Sequence, residues 1–252
     1  MPIDIIMETS NRIDRIVEVE KFNPYHDVKG RFASAPGGAG TSILSGFTEG
    51  KDYKKTKRGY VQFLSKAAAQ KYASECARGI NLSQSQKESL DEYKISSAEM
   101  AARLRSGDDK TDGYKIRDID KAINKAALRD DVLLMRGVDA NGVKSMGIKD
   151  TSIEGLKSLI GETIRDKAYL STTTDKSTMD KFIGTKNGLR SSETGIGMLI
   201  QASAGSKALP MSAAKSKHGG DESEFILPRN TELKITGVTS LQGVNYLVCE
   251  YA

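Results

Sequence analysis

Cysteine and histidine are nearly missing from this chain of 252 residues: Cys76 and Cys249 are the two cysteines, His26 and His218 the two histidines. So few cysteines exclude a disulfide framework, and with only those histidines beside them no structural zinc set can be assembled, so no metal is expected. Long apolar runs are missing too. No stretch approaches the roughly 18 apolar residues of a membrane span, and the start MPIDIIMETS has acids where a secretory signal would carry lysines before an apolar run. Neither a membrane span nor a signal peptide is expected. Charge of one sign is also scarce, with 38 Lys and Arg against 33 Asp and Glu. The densest basic cluster, Lys51, Lys54, Lys55, Lys57 and Arg58, is broken by Asp52 and Tyr53 and reads as a solvated surface. Nucleic acid is not an expected partner.

What is present fits a globular chain: 38% hydrophobic and 28% charged residues, in a length that allows one domain with an appendage. The first fifty residues stand apart. Ile13, Ile16, Val17 and Val19 alternate with charges in a short amphipathic pattern, and KFNPYHDVKGRFASAPGGAGTS follows, punctuated by Pro24, Gly30, Pro36, Gly37, Gly38 and Gly40. This predicts a leader or linker over residues 1–50 and a folded domain over 51–252. From Gly59, Tyr60, Phe63, Leu64, Ala67, Ala68 and Tyr72 recur at helical spacing. A second helix runs from Ser83 through Tyr93, a third from Ser97 to Arg105, and a fourth carries Ile116, Ile119, Ile123 and Leu128 on one stripe. DVLLMRGV is the first clear strand, followed by a glycine-rich turn region to Gly147. Then come a helix at TSIEGLKSLIG, a strand at AYLSTTT, a helical stretch near KSTMDKFIG, and five strands to the end. Helices first and strands later, without regular alternation, predict an α+β fold with an antiparallel or mixed sheet.

Three polar clusters sit where strands should end. Arg136 closes the apolar run VLLM, and its fork suits a phosphate or carboxylate. Ser171, Thr172, Thr173 and Thr174 place four hydroxyls in a row. Glu222 and Glu224 share one face, about 7 Å apart, if their segment is extended. Each has an ordinary structural explanation: an ion pair, a strand edge, solvated charge.

In joint order, however, Arg136, then Tyr-Leu-Ser-Thr, then Glu-x-Glu with Phe-Ile-Leu-Pro-Arg behind it, resemble the arginine-serine-glutamate family of mono-ADP-ribosyltransferases, in its bacterial and phage exoenzyme branch. LSQSQKESLDEYKISSAEMAARLRSGD is similar to that family's helical lead-in, and about 190 residues from Tyr60 to Ala252 follow the family in order. The resemblance implies a two-sheet core with an N-terminal helical subregion, NAD+ as co-substrate in the cleft between the sheets, and no metal. It also implies roles. Arg136 would hold the NAD+ phosphate, and the Gly137 backbone would approach the nicotinamide amide, where a side chain would obstruct. Ser171 would position the catalytic carboxylate, with Thr172 and Thr173 supporting the strand. Glu224 would bond the nicotinamide ribose and stabilise the oxocarbenium-like cation formed as nicotinamide leaves. Glu222 would orient and help deprotonate the nucleophile. Glu-x-Glu, rather than Gln-x-Glu, implies a protein arginine as acceptor, because a carboxylate can pair with a guanidinium through two bonds.

The chain departs from the family pattern in the stretch KALPMSAAKSKHGGDESE, which has Pro210 and Met211 but no aromatic ring where relatives often carry one. Lys215, Lys217 and His218 beside Gly219 and Gly220 make a basic loop suited to an acidic partner or, with equal weight, to solvent alone. Thr173 stands where many relatives have serine. The leader has a resemblance of its own: FNPYHDVKGRFASAPGG, residues 22–38, is similar to short segments of phage head-morphogenesis and virion-associated proteins. The expected function is therefore a phage- or prophage-borne toxin or effector, phage-associated or delivered into a host cytoplasm, that transfers ADP-ribose to a protein arginine. The readings left open are an NAD+ glycohydrolase, a virion structural protein with a degenerate transferase fold, and secretion by a non-classical route.

Overall fold

Two serines decide where the first helices begin. The side chain of Ser65 accepts the Ala68 amide and opens α1 (Lys66–Ala77), and Ser83 forms a reciprocal capping box with Gln86 to open α2 (Gln84–Ser106). The computed structural model describes residues 41–215 and 223–251. The amphipathic and phage-like segments of the leader, and Lys217, His218 and Glu222 of the basic loop, lie outside the described residues.

The helical periodicity predicted from Gly59 belongs in part to a strand. Val61 and Phe63 are buried in β2 (Val61–Phe63), which pairs with β1 (Tyr53–Lys55). A short apolar run fits either element, and here the Val61 amide donates to the Asp131 carbonyl at 2.8 Å and draws the segment into the sheet. The helices predicted separately from Ser83 and Ser97 are one. α2 continues through a kink at Ser96 (φ −121°), whose hydroxyl donates to the Glu92 carbonyl, and ends at Gly107 in the left-handed region. With α3 (Gly113–Ile123), which buries Ile116, Ile119 and Ile123 on one stripe, three α-helices among the described residues, not four, precede the long strand β3 (Val132–Asp139).

The glycine-rich turn expected after β3 holds a short helix, α4 (Ala140–Ser145), capped by Asp139. There follow α5 (Ile153–Lys157), β4 (Thr163–Arg165), β5 (Leu170–Thr173), α6 (Lys176–Lys181), a small hairpin of β6 (Thr185–Lys186) and β7 (Leu189–Arg190), β8 (Gly195–Ala202), β9 (Leu209–Pro210), β10 (Glu224–Leu227), β11 (Glu232–Leu241) and β12 (Val244–Tyr251). The fold is α+β, as the order of elements predicts. Among the described residues no helix is long and apolar enough to cross a membrane.

The large sheet runs β4-β11-β12-β8-β3-β5-β10-β9, with β2 and β1 beside β3. Its pairing is uneven. β3 is paired to β8 from Val132 to Asp139, but to β5 only at Met135 and Thr173. One rung therefore joins two well-paired sheets, and the cleft between them opens beyond it.

Alternation along β10 divides the core. Phe225 and Leu227 enter the main core with α1, where Tyr72 lies between the Phe63 and Phe225 rings at centroid distances of 4.8 and 6.0 Å. Ile226 enters a second core made by α2 and α3, with Leu90, Tyr93, Ile119 and Tyr169. Phe47 and Tyr53 also pack in the main core, so the chain is already part of the folded body there. Both cysteines are buried, and burial pushes each thiol up to about 12.

Arg229 locks the end of β10 to the helices. Its fork grips the Asp120 carboxylate of α3 at 3.2 and 2.7 Å, and the Tyr169 hydroxyl reaches the same carboxylate at 2.7 Å. Replacing Arg229 by methionine removes both charged bonds and should lower the unfolding free energy in urea by about 1.5–3 kcal/mol. Lysine should recover only part of that loss, because an ammonium cannot make the two-bond grip.

Candidate active site

Arg136, Ser171 and Glu224 lie on three strands, and the register brings them together. In the β5–β10 ladder Ile226 is opposite Ser171 and Glu224 is opposite Thr173, which is itself opposite Met135 of β3. Strand alternation puts Ser171, Thr173, Glu224 and Ile226 on one face, the face toward α2, with Glu224 diagonal to Ser171 at roughly 7–8 Å between backbones. Arg136 reaches across the opening, and its Nη1 donates to the Ser171 carbonyl at 2.7 Å. These residues line a cavity of about 500 Å³, within the range of cofactor-sized sites. Tyr93 and Arg105 of α2, Gly137 and Asp139 of β3, and Met179 and Phe182 from the α6 region form its other walls.

Arg136 is a half-buried cation. Burial pulls its pKa down, while Tyr93, Asp166 and Glu224 pull it back. Its Nε is buried and has no hydrogen-bond partner among the described residues. A half-buried guanidinium that keeps a buried donor unused has the capacity to bond an anion in the cavity.

Tyr93 is marked in the sequence only by its place in the second helix, yet it touches the site directly. Its hydroxyl lies 3.0 Å from that of Ser171, and its ring packs edge-on against Tyr169 at 5.7 Å. Burial pushes the phenol up to about 12, so at neutral pH it is an uncharged hydrogen-bonding group beside Arg136. Arg105 was read only as the end of a helix. It holds Asp166 through two bonds, at 3.0 and 2.6 Å. Burial raises the pKa of Asp166, but those bonds, the Ala168 amide and the two arginine charges outweigh it and leave the carboxyl below its usual value. Neither residue has a sequence signal that distinguishes it from ordinary helix chemistry.

The threonines after Ser171 work within the sheet. Thr172 donates to the Phe225 carbonyl at 2.8 Å, and the Thr173 hydroxyl accepts the Asp175 amide at 3.0 Å. Ser223 is buried in a left-handed conformation (φ 51°), so the chain is not extended at the residue between the two glutamates. The shared face predicted for Glu222 and Glu224 depended on an extended chain and does not follow. Glu222 itself lies outside the described residues.

Gly137 lines the cavity, and packing behind it also requires a glycine. A β-carbon there would lie 2.2 Å from the Met179 carbonyl oxygen and 2.9 Å from the Ile183 amide nitrogen, so its bare backbone makes room for α6. Among the described residues no group of acids, histidines and cysteines could hold a metal ion.

Residues 63–251 match the family model described as ADP-ribosyltransferase exoenzyme. The chain belongs to the ADP-ribosyltransferase exoenzyme family. It is thus an ADP-ribosyltransferase that uses NAD+. Solved structures agree on the fold. The C3 exoenzyme of Clostridium limosum is 19% identical with a TM-score of 0.62, over 77% of this chain and 98% of that one. C3stau2 from S. aureus, solved with NAD, is 17% identical with the same TM-score and coverage. Plx2a, an ADP-ribosyltransferase toxin from Paenibacillus larvae, is 22% identical at a TM-score of 0.57, over 73% of this chain and 94% of that one. A search of curated proteins gave no match.

The contact between Gly137 and α6 gives this transferase a sensitive point. Gly137→Ala must displace the Met179 carbonyl or distort β3, and should destabilise the protein by about 1–3 kcal/mol in thermal or urea unfolding. A wild-type melting temperature for that variant would show that α6 is not seated as described.

Proposed function

We propose that this transferase moves ADP-ribose from NAD+ to an arginine of a protein and releases nicotinamide. The observation that carries the reading is the half-buried Arg136 guanidinium, with a buried Nε that has no partner among the described residues, one rung away from the strand register of Glu224. Arg136 binds the diphosphate, which supplies the missing anion. Gly137 exposes backbone to the nicotinamide amide. Ser171, held by Tyr93 at its hydroxyl and by Arg136 at its carbonyl, positions Glu224. Thr172 keeps β5 and β10 in register for this purpose.

Glu224 bonds the nicotinamide ribose and faces the positive charge that develops as the bond from ribose C1′ to nicotinamide breaks, its electrons leaving with nicotinamide. A guanidine nitrogen of the acceptor then bonds to C1′. Glu222 pairs with that guanidine and takes its proton, a pairing an amide in its place could not make as well. Lys215, Lys217 and His218 favour an acceptor with acidic surface near its arginine.

The same reading assigns residues 51–252, with the packed lead-in from Ser42, to the catalytic unit. Residues 22–38 attach it to a phage particle, and the protein acts as an effector inside the cell that receives it.

Incubation with labelled NAD+ and lysate should label protein in a hydroxylamine-sensitive manner. Glu224→Gln should reduce this by about 100-fold or more, the scale of losing one electrostatic group from a preorganised site. Equal labelling by that variant overturns the assignment. Glu222→Ala should lose protein labelling while keeping much of the nicotinamide release; loss of both in parallel would remove Glu222 from acceptor activation.

A further inference from the structure

Asp139 ends β3 at the far side of the cavity from Glu224. Glu224 is level with Met135 through Thr173, so Asp139 stands four residues further along β3, about 13 Å at the usual strand rise, with Arg136 between the two levels. This is the order of a dinucleotide: a ribose at Glu224, a diphosphate at Arg136, and a second ribose near Asp139.

The chemistry at that end is specific. Asp139 is exposed to the cavity, and one of its oxygens accepts the Gly142 amide at 2.8 Å, which fixes the carboxylate as the cap of α4. The other oxygen is left to accept a bond from a ligand. Arg105 senses the charge of Asp139, but its guanidinium is held by Asp166 through two bonds. Among the described residues that line the cavity the cations are Arg105 and Arg136; the first is held by Asp166, and the second stands three residues back along β3.

We propose that Asp139 is a specificity-determining residue that accepts a hydroxyl of the adenosine ribose and excludes a 2′-phosphate, so that the transferase uses NAD+ and rejects NADP+. An acid that bonds the ribose 2′-hydroxyl is a general device for this choice in dinucleotide sites, and here it sits on an unrelated fold. A phosphate brought against a fixed carboxylate meets like charge, and its hydroxyl donor is gone. The inference rests on the NAD+ site proposed around Arg136 and Glu224.

The test compares the full chain with Asp139→Asn and Asp139→Ser. Both replacements retain an acceptor that caps α4, so the fold should be kept, and melting curves check this. Binding of NAD+ and NADP+ is measured by calorimetry, and nicotinamide release from each is measured separately. The wild type should prefer NAD+ strongly. Both variants should narrow that preference by roughly tenfold to a hundredfold, through weaker NAD+ and tighter NADP+ binding. Equal use of the two dinucleotides by the wild type, or an unchanged preference in both folded variants, overturns the role of Asp139. A wild type that neither binds nor cleaves either dinucleotide overturns the site beneath it, and the proposal with it.

Discussion

A strand pair that ends after one rung leaves backbone carbonyls and amides that must find other partners, since buried peptide groups without hydrogen bonds are costly. β3 and β5 part after Met135 and Thr173, and the Ser171 carbonyl that faces the opening is met by the guanidinium of Arg136. A side chain does there what a neighbouring strand would do elsewhere. The same substitution puts a cation at the mouth of a gap between two sheets. Cleft, charge and strand end are therefore consequences of one break in pairing, and the helices serve to hold it. α2 closes one side with Tyr93, α6 closes the other over Gly137, and α3 secures β10 through Asp120 and Arg229.

Charge is distributed around that break with little excess. Arg105 is matched by Asp166, so the second arginine at the cavity is neutralised inside the protein. Arg136 instead donates to a neutral group, the Ser171 carbonyl. The phenols nearby, Tyr93 and Tyr169, are kept protonated by burial and bond without adding charge. A site arranged in this way attracts an anion to one atom group and offers hydrogen bonds everywhere else, which favours a single orientation of a long charged ligand.

The sequence carried the strands of the catalytic half well, because VLLMRGV, LSTT and EFIL are short runs bounded by polar residues, and β-pairing confirmed each. It misread Phe63, whose apolar spacing fits a helix or a buried strand equally; only the pairing of Val61 with Asp131 and Val132 decides between them. It divided α2 at Ser96, where the local bond to Glu92 bends the helix without ending it. Arg136, Ser171 and Glu224 are visible through the joint order of their motifs, although each alone has an ordinary structural explanation. Tyr93, Arg105 and Asp139 were not. A tyrosine in a helix stripe, an arginine in a last turn and an aspartate before a short helix look the same whether they cap, pack or face a ligand. What separates them is register between distant strands, which one chain read in order does not display.

The left-handed residues Lys215 and Ser223 stand on either side of the stretch that carries Glu222. Strand β10 takes its register from β5 and β9, at pairs that begin with Glu224, and the Thr174 amide meets the Ser223 carbonyl at 3.2 Å just before them. The backbone that presents Glu224 is thus anchored from Ser223 onward by its own partners on β5 and β9. The position of that carboxylate is a property of the sheet, fixed at the very residue where the strand begins.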